Sequence, residues 1–215
     1  LLVEEPEAHL HPQYQNTFFE YLNELQSKGL QVFVTSHSPT ITAKSDVNNI
    51  SILQRKQSII QSFSFDELSE DDYPKESKRH LRKFLDTTKA QLFFANGVLL
   101  VEGVAEAIII PILAKKFLTE KIDLCKSGIE LVNIGGVAFN HFGLLFNNDD
   151  ERKRLLSKCA IITDSDPKDN GDISDRAQKA KDLEKHNLKV CLATHTLEHD
   201  LFEQSERNKA IMRDV

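Results

Sequence analysis

The stretch Val98-Leu99-Leu100-Val101-Glu102-Gly103-Val104-Ala105-Glu106 decides how this chain is read. A short apolar run ends on a carboxylate, a glycine turns the chain, and an apolar helix starts with a second carboxylate in its first turn. Short apolar runs bounded by turn signals read as buried strands. Three further runs share the pattern: 130–134 ends at Gly135-Gly136, 159–163 ends at Asp164-Ser165-Asp166, and 188–193 leads into 194–199. Helical patterns over 105–117, 137–146 and 174–186 separate them, with Pro111 as a kink and Ser174 as an N-cap. This alternation predicts a parallel sheet with helices on both faces, whose ligands sit at the carboxyl ends of the strands.

The acidic residues fall at those ends. Glu102 and Glu106 are four residues apart, a spacing that turns both toward one site. Asp164 and Asp166 stand at i and i+2 and point to the same side, and Glu198 follows the last strand. Singly, E-x-x-x-E is usually a solvated helix face and D-x-D a turn. Their placement after strands of one α/β unit predicts a gathered cluster. Carboxylates that close repel one another unless cations neutralise them. Mg²⁺ or Mn²⁺, hard and oxygen-liganded, suits the set. Two such ions about 4 Å apart stabilise the attacking and leaving oxygens in phosphodiester cleavage.

Upstream, residues 1–39 read as strand, helix, strand and loop. The apolar run 1–3 ends in Glu4-Glu5-Pro6, a helix over 12–27 carries Phe18, Phe19, Leu22 and Leu25 on one stripe, and Gly29 stops it. A strand over 30–35 ends in Ser36-His37-Ser38-Pro39. One carboxylate after the first strand can hold Mg²⁺ through water, and the next can orient a water for attack on a phosphoryl group. His37, after the neighbouring strand, can reach a γ-phosphate. Residues 49–65 read as a hairpin and 66–72 as an acidic loop. Residues 75–94 read as a helix whose polar positions Lys75, Lys78, Arg79, Arg82, Lys83 and Lys89 suit either a solvated face or DNA phosphates.

Two resemblances sharpen the reading. Leu-Leu-Val-Glu-Glu-Pro-Glu-Ala-His-Leu-His-Pro at 1–12 resembles the Walker B and D-loop of ABC-type ATPases of the Rad50/SMC-like group, and Thr35-Ser36-His37-Ser38-Pro39 resembles their switch-histidine loop. By that resemblance Glu4 replaces the Walker B Asp, Glu5 is the catalytic carboxylate and His37 senses the γ-phosphate. Residues 98–106, Ile134-Gly135-Gly136 and Ile162-Thr163-Asp164-Ser165-Asp166 resemble a Toprim domain, with its metal-binding glutamate after the first strand and D-x-D after the third. An ABC-type half followed by Toprim is the order of the OLD (overcoming lysogenization defect) family of ATP-dependent endonucleases, relatives of the Gabija nucleases. Leu85-Asp86-Thr87-Thr88-Lys89-Ala90-Gln91-Leu92-Phe93-Phe94-Ala95 resembles its linker, and Thr196-Leu197-Glu198-His199-Asp200-Leu201 its post-strand acidic motif.

The resemblance implies a partial ABC-ATPase unit over 1–65, a basic linker helix over 66–95 and a Toprim nuclease domain over 96–215. It implies that Glu102, Glu106 and Asp164 hold one metal ion, and that Asp166 and Glu198 help hold a second. DNA is the implied substrate, ATP acts through residues upstream, and the ATPase halves assemble a homo-oligomer in DNA repair or anti-phage defence. The family also uses a lysine after the acidic motif, for which Lys209 is the candidate within this sequence. No phosphate loop G-x-x-x-x-G-K-[ST] occurs among the 215 residues, so the sequence reads as a fragment without ATPase turnover of its own.

Composition agrees with this reading. The charge of −6 speaks against passive counterion-driven nucleic-acid binding. Three widely spaced cysteines form neither a zinc site nor a disulfide framework, which makes a reducing cytoplasm the expected compartment, and no run is long enough to span a membrane. Two rivals remain. The Toprim unit of a topoisomerase would need a strand-attacking tyrosine, and Tyr14, Tyr21 and Tyr73 all lie outside that unit, while a primase would not carry an ABC-type half. A nucleotide-gated switch without nuclease activity would not need so repulsive an acidic set.

Overall fold

The computed structural model describes residues 1–117, 122–136 and 138–213. The chain begins with β1 (Leu2–Glu4), then α1 (Pro12–Ser27), whose N-terminal N–H of Gln13 is accepted by His11 Nδ1 at 3.4 Å. β2 (Phe33–Thr35) pairs with β1 in parallel. α2 (Pro39–Lys44) is capped by Ser38, and a hairpin follows from β3 (Ser51–Lys56) and β4 (Ile59–Ser64), closed by Gln57 at φ 54°.

The helix expected over 75–94 is two. α3 (Lys75–Phe84) stops at the extended Leu85, and α4 (Thr87–Ala90) restarts because Asp86 Oδ1 accepts the Lys89 N–H at 2.8 Å. A carboxylate free to cap a new helix offers the backbone an alternative to continuing the old one.

The second α/β unit comprises β5 (Gly97–Val101), α5 (Val104–Phe117), β6 (Ile129–Asn133), α6 (Phe139–Gly143), β7 (Lys158–Thr163), α7 (Asp175–Lys181), β8 (Leu188–Leu192), α8 (Leu197–Glu203) and α9 (Glu206–Arg213). Its sheet has the order β6-β5-β7-β8 and is parallel throughout. Val101 pairs with Asn133 and with Ile162, and Thr163 pairs with Leu192, so the strands end in register. Glu102, Gly135, Asp164 and Thr194 therefore emerge along one edge. α6 and α7 are shorter than the periodicity suggests, and Val137 lies outside the described residues. Ser174 caps α7 as expected, its Oγ accepting the Ala177 N–H at 3.2 Å.

A continuous apolar interior joins the hairpin and α3 to the second sheet. Val98, Leu100, Val132 and Ile161 of the sheet pack in one cluster with Phe139, Phe142, Leu145 and Phe146 behind it, and with Phe63, Phe65, Tyr73 and Leu81 from the hairpin and α3. Phe65 meets Phe63, Tyr73 and Phe93 edge to face at centroid distances of 5.1, 5.8 and 6.1 Å, the arrangement aromatic quadrupoles favour. Each such buried ring contributes about 1.5–3 kcal/mol over leaving it in water. The Tyr73 hydroxyl is satisfied by donating to the His141 carbonyl. His141 in turn contacts Ser77 Oγ at 2.9 Å and stacks on His80 at 4.2 Å, tying α3 to α6. Among the described residues no helix is long and apolar enough to cross a membrane.

Candidate active site

Asp164 is the centre of the acidic edge. It follows β7, and its Oδ1 accepts the Leu197 N–H at 3.1 Å. Burial pushes its carboxyl up to about 6, the Leu197 hydrogen bond opposes this, and the charges of Glu102, Asp166 and Glu198 add to the rise. Those three carboxylates are thus brought around Asp164, each from a different turn.

Glu102, at the end of β5, is held from two sides. Its Oε1 accepts the Thr163 hydroxyl and, at 3.4 Å, the Asp164 N–H. Arg176 Nη2 reaches the same oxygen at 3.3 Å and Asp166 Oδ2 at 2.5 Å, so one guanidinium nitrogen bridges the two carboxylates. Asp166 sits at φ 41°, a left-handed conformation that Asp tolerates better than most residues. Its turn is fixed to the one after β8, because the His195 carbonyl accepts the N–H groups of Ser165 and Asp166 at 3.1 and 3.3 Å.

Glu106 is placed differently from the expectation. It is buried, and its Oε2 accepts the Gly103 N–H at 3.1 Å, capping the start of its own helix. Helix starts carry unsatisfied N–H groups, and a nearby carboxylate is a ready acceptor. Gly136 donates its N–H to the Glu102 carbonyl at 2.9 Å from a φ of 135°, a backbone angle that residues with a side chain rarely adopt.

Hard carboxylate oxygens, partly desolvated and repelling one another, are the donor set that Mg²⁺ or Mn²⁺ fits. Glu102, Asp164, Asp166 and Glu198 could hold such ions. Among the described residues, however, no three acidic, His or Cys side chains are arranged as a closed ligand group. Arg176 lies between Glu102 and Asp166 instead.

The first α/β unit brings Glu5 and His37 together. The Glu5 N–H donates to the Thr35 carbonyl at 2.9 Å, and His37 Nε2 lies 3.4 Å from Glu5 Oε1, both side chains open to solvent. Glu5 adopts φ 40°, which costs a residue of its type about 1–2 kcal/mol. Glu4 ends β1 opposite Thr35 and is exposed.

Comparison with known proteins shows what this chain is similar to. Residues 93–166 match the family model "Overcoming lysogenization defect protein-like, TOPRIM domain", and residues 1–43 match "AAA domain, putative AbiEii toxin, Type IV TA system". Over these residues the chain is similar to the OLD proteins. It is 28% identical over 164 residues to the Old nuclease of Escherichia phage P2, covering 76% of this chain. It is 28% identical over 202 residues to the endonuclease GajA of Bacillus cereus strain HuB5-5, covering 84% of this chain. In both cases the chain spans 28% of the relative's length. The solved C-terminal region of the Xanthomonas campestris pv. campestris OLD protein is 26% identical, with a TM-score of 0.39 over 58% of this chain and 63% of that one.

Three residues of this OLD-like chain escaped the reading of the sequence. Thr163 and Arg176 hold Glu102, and only the pairing of β5 with β7 reveals it. Glu7 builds the His37 loop: its Oε1 accepts Ser36 Oγ at 2.8 Å and the His37 N–H at 2.6 Å. The basic positions of α3 and α4 are largely engaged within the protein. Lys75 pairs with Glu70, Arg82 with Asp46 and Lys89 with Asp86, and Lys78 Nζ donates to the Phe65 carbonyl at 2.6 Å. Lys209, the candidate catalytic lysine, is paired with Glu203 at 3.0 Å and Glu206 at 3.2 Å.

Proposed function

We propose that this chain is the nuclease-bearing part of an ATP-regulated endonuclease that hydrolyses DNA phosphodiesters with Mg²⁺ or Mn²⁺. What carries the reading is the convergence on Asp164 of carboxylates from the turns after β5, β7 and β8. Two divalent ions, when bound, supply the positive charge that stabilises the attacking and leaving oxygens of the scissile phosphate. Glu102, Asp164, Asp166 and Glu198 are the proposed ligands, with Glu106 as a further ligand only if its side chain leaves the Gly103 N–H. Thr163 and the Leu197 N–H orient Glu102 and Asp164, which keeps their lone pairs aimed into the cluster.

In the same reading residues 1–65 belong to an ABC-type ATPase unit, 66–95 to a linker and 96–215 to the Toprim nuclease. Glu4 holds Mg²⁺, Glu5 orients the attacking water and His37 senses the γ-phosphate, once residues upstream supply the phosphate loop. A homo-oligomer forms through those ATPase halves, in a reducing cytoplasm.

A plasmid nicking assay with added Mn²⁺ tests the central claim. The chain should convert supercoiled DNA to open circles, and Glu102→Ala and Asp164→Ala should each abolish this while leaving the circular dichroism spectrum unchanged. Full activity in both variants would reject it.

A further inference from the structure

Among the described residues, Arg176 is the one cation that forms ion pairs with the acidic edge. Its hold is incomplete. Contact to Glu102 and Asp166 is made through a single nitrogen, Nη2, rather than through the two-pronged fork that gives arginine–carboxylate pairs their strength. Its Nε is buried and has no hydrogen-bond partner. The Arg176 side chain is 36% exposed, and its partners differ: Asp166 is 42% exposed and Glu102 only 15%. The pair with Asp166 is of the solvent-exposed kind that contributes little and exchanges readily.

Space lies beside it. A cavity of about 670 Å³ opens between α6 and α7, lined by Arg176 together with Lys179, Phe139 and Asn140. Arg176 thus both bridges the carboxylates and lines this cavity.

We propose that Arg176 is the internal counter-ion of the carboxylate cluster, and that its release from Glu102 and Asp166 and the entry of a divalent cation are one competitive exchange. This rests on the metal-dependent reading above and deepens it. Without metal, the guanidinium keeps Glu102 and Asp166 facing each other across the position a cation takes, and so acts as a positioning residue. With metal, the same oxygens turn to the ion and Arg176 turns to the cavity.

Calorimetric titration of Mn²⁺ into the metal-free 215-residue chain tests this, with Arg176→Gln and Arg176→Met for comparison. Removing the competitor should tighten Mn²⁺ binding about twofold to fivefold, the scale of a solvent-exposed ion pair. The metal-free variants should also melt at a lower temperature and gain more on adding Mn²⁺. A merely structural role would weaken metal binding instead. Equal or weaker binding by a folded variant therefore overturns the proposal and leaves the metal site standing. Absence of Mn²⁺ binding in both wild type and variants overturns the metal site itself, and the exchange with it. Should neither variant fold, Mg²⁺ is titrated into the wild type and the Arg176 Nε–Hε resonance followed by NMR. It should shift with the same midpoint as metal binding, and a resonance that stays fixed through saturation overturns the proposal.

Discussion

The Leu197 N–H donates to Asp164 Oδ1 at 3.1 Å, joining the turn after β7 to the helix that follows β8. Leu197 opens α8, so an otherwise unpaired helix-start N–H is taken up by the carboxyl that burial and neighbouring charges push upward. The next residue is Glu198, whose charge also acts on Asp164. One short turn thus delivers both a restraint and a repulsion.

Asp164→Asn keeps the shape and removes the charge. Mn²⁺ affinity measured by calorimetry should fall by about 100-fold or more, since perturbing even the outer partners of a metal ligand costs 10–100-fold. Retention of wild-type affinity would remove Asp164 from the ligand set.

The raised Asp164 value fixes the sign of a pH effect. Below its ordinary unfolded range the carboxyl is protonated in both states and contributes nothing. As pH rises, the unfolded chain ionises first, so the folded state loses ground until pH passes about 6, and above that the full cost is present. Without metal, Asp164→Asn should therefore be stabilised relative to wild type at about pH 7.5 and much less so at about pH 4.5. Thermal melts at the two values check this, and a pH-independent difference would refute it.

Tyr73→Phe removes the hydroxyl that satisfies the His141 carbonyl in the core. Leaving that acceptor without its partner should cost about 1–2 kcal/mol in urea unfolding. No loss would mean that water takes the place of the hydroxyl.

Glu7→Ala should loosen the His37 loop, because one carboxylate oxygen fixes both Ser36 and the His37 backbone. A destabilisation of about 1–3 kcal/mol is expected, as for hydrogen bonds to a charged group. Faster amide exchange at His37 should accompany it, and unchanged exchange would show that the loop holds itself.

The sheet was legible because its strands are short apolar runs stopped by turns, and α1 because its apolar stripe lies between Pro12 and the stop at Gly29. Glu102 and Asp164 each stand just after a strand, as their places in the sequence suggest, and Glu198 lies in the helix after β8. Glu106 did not follow, because i, i+4 spacing brings two side chains onto one face without saying which takes the open backbone N–H first. Arg176 lay ten residues past Asp166 in a polar helix, where nothing local separates a bridging arginine from a solvated one. The break at Leu85 was hidden for a similar reason: Asp86 reads equally as a helix surface residue and as a cap.

Phe63, Phe65 and Tyr73 share their interior with Leu100, Phe142 and Ile161, so no dry seam separates the hairpin from the sheet that carries the acidic edge. Cutting the polypeptide just ahead of β5 would strip the sheet of its own padding and leave a greasy scar. Heat should dissolve the two together in a single step, and a push on the hairpin would be felt at the carboxylates through solid packing rather than across a hinge.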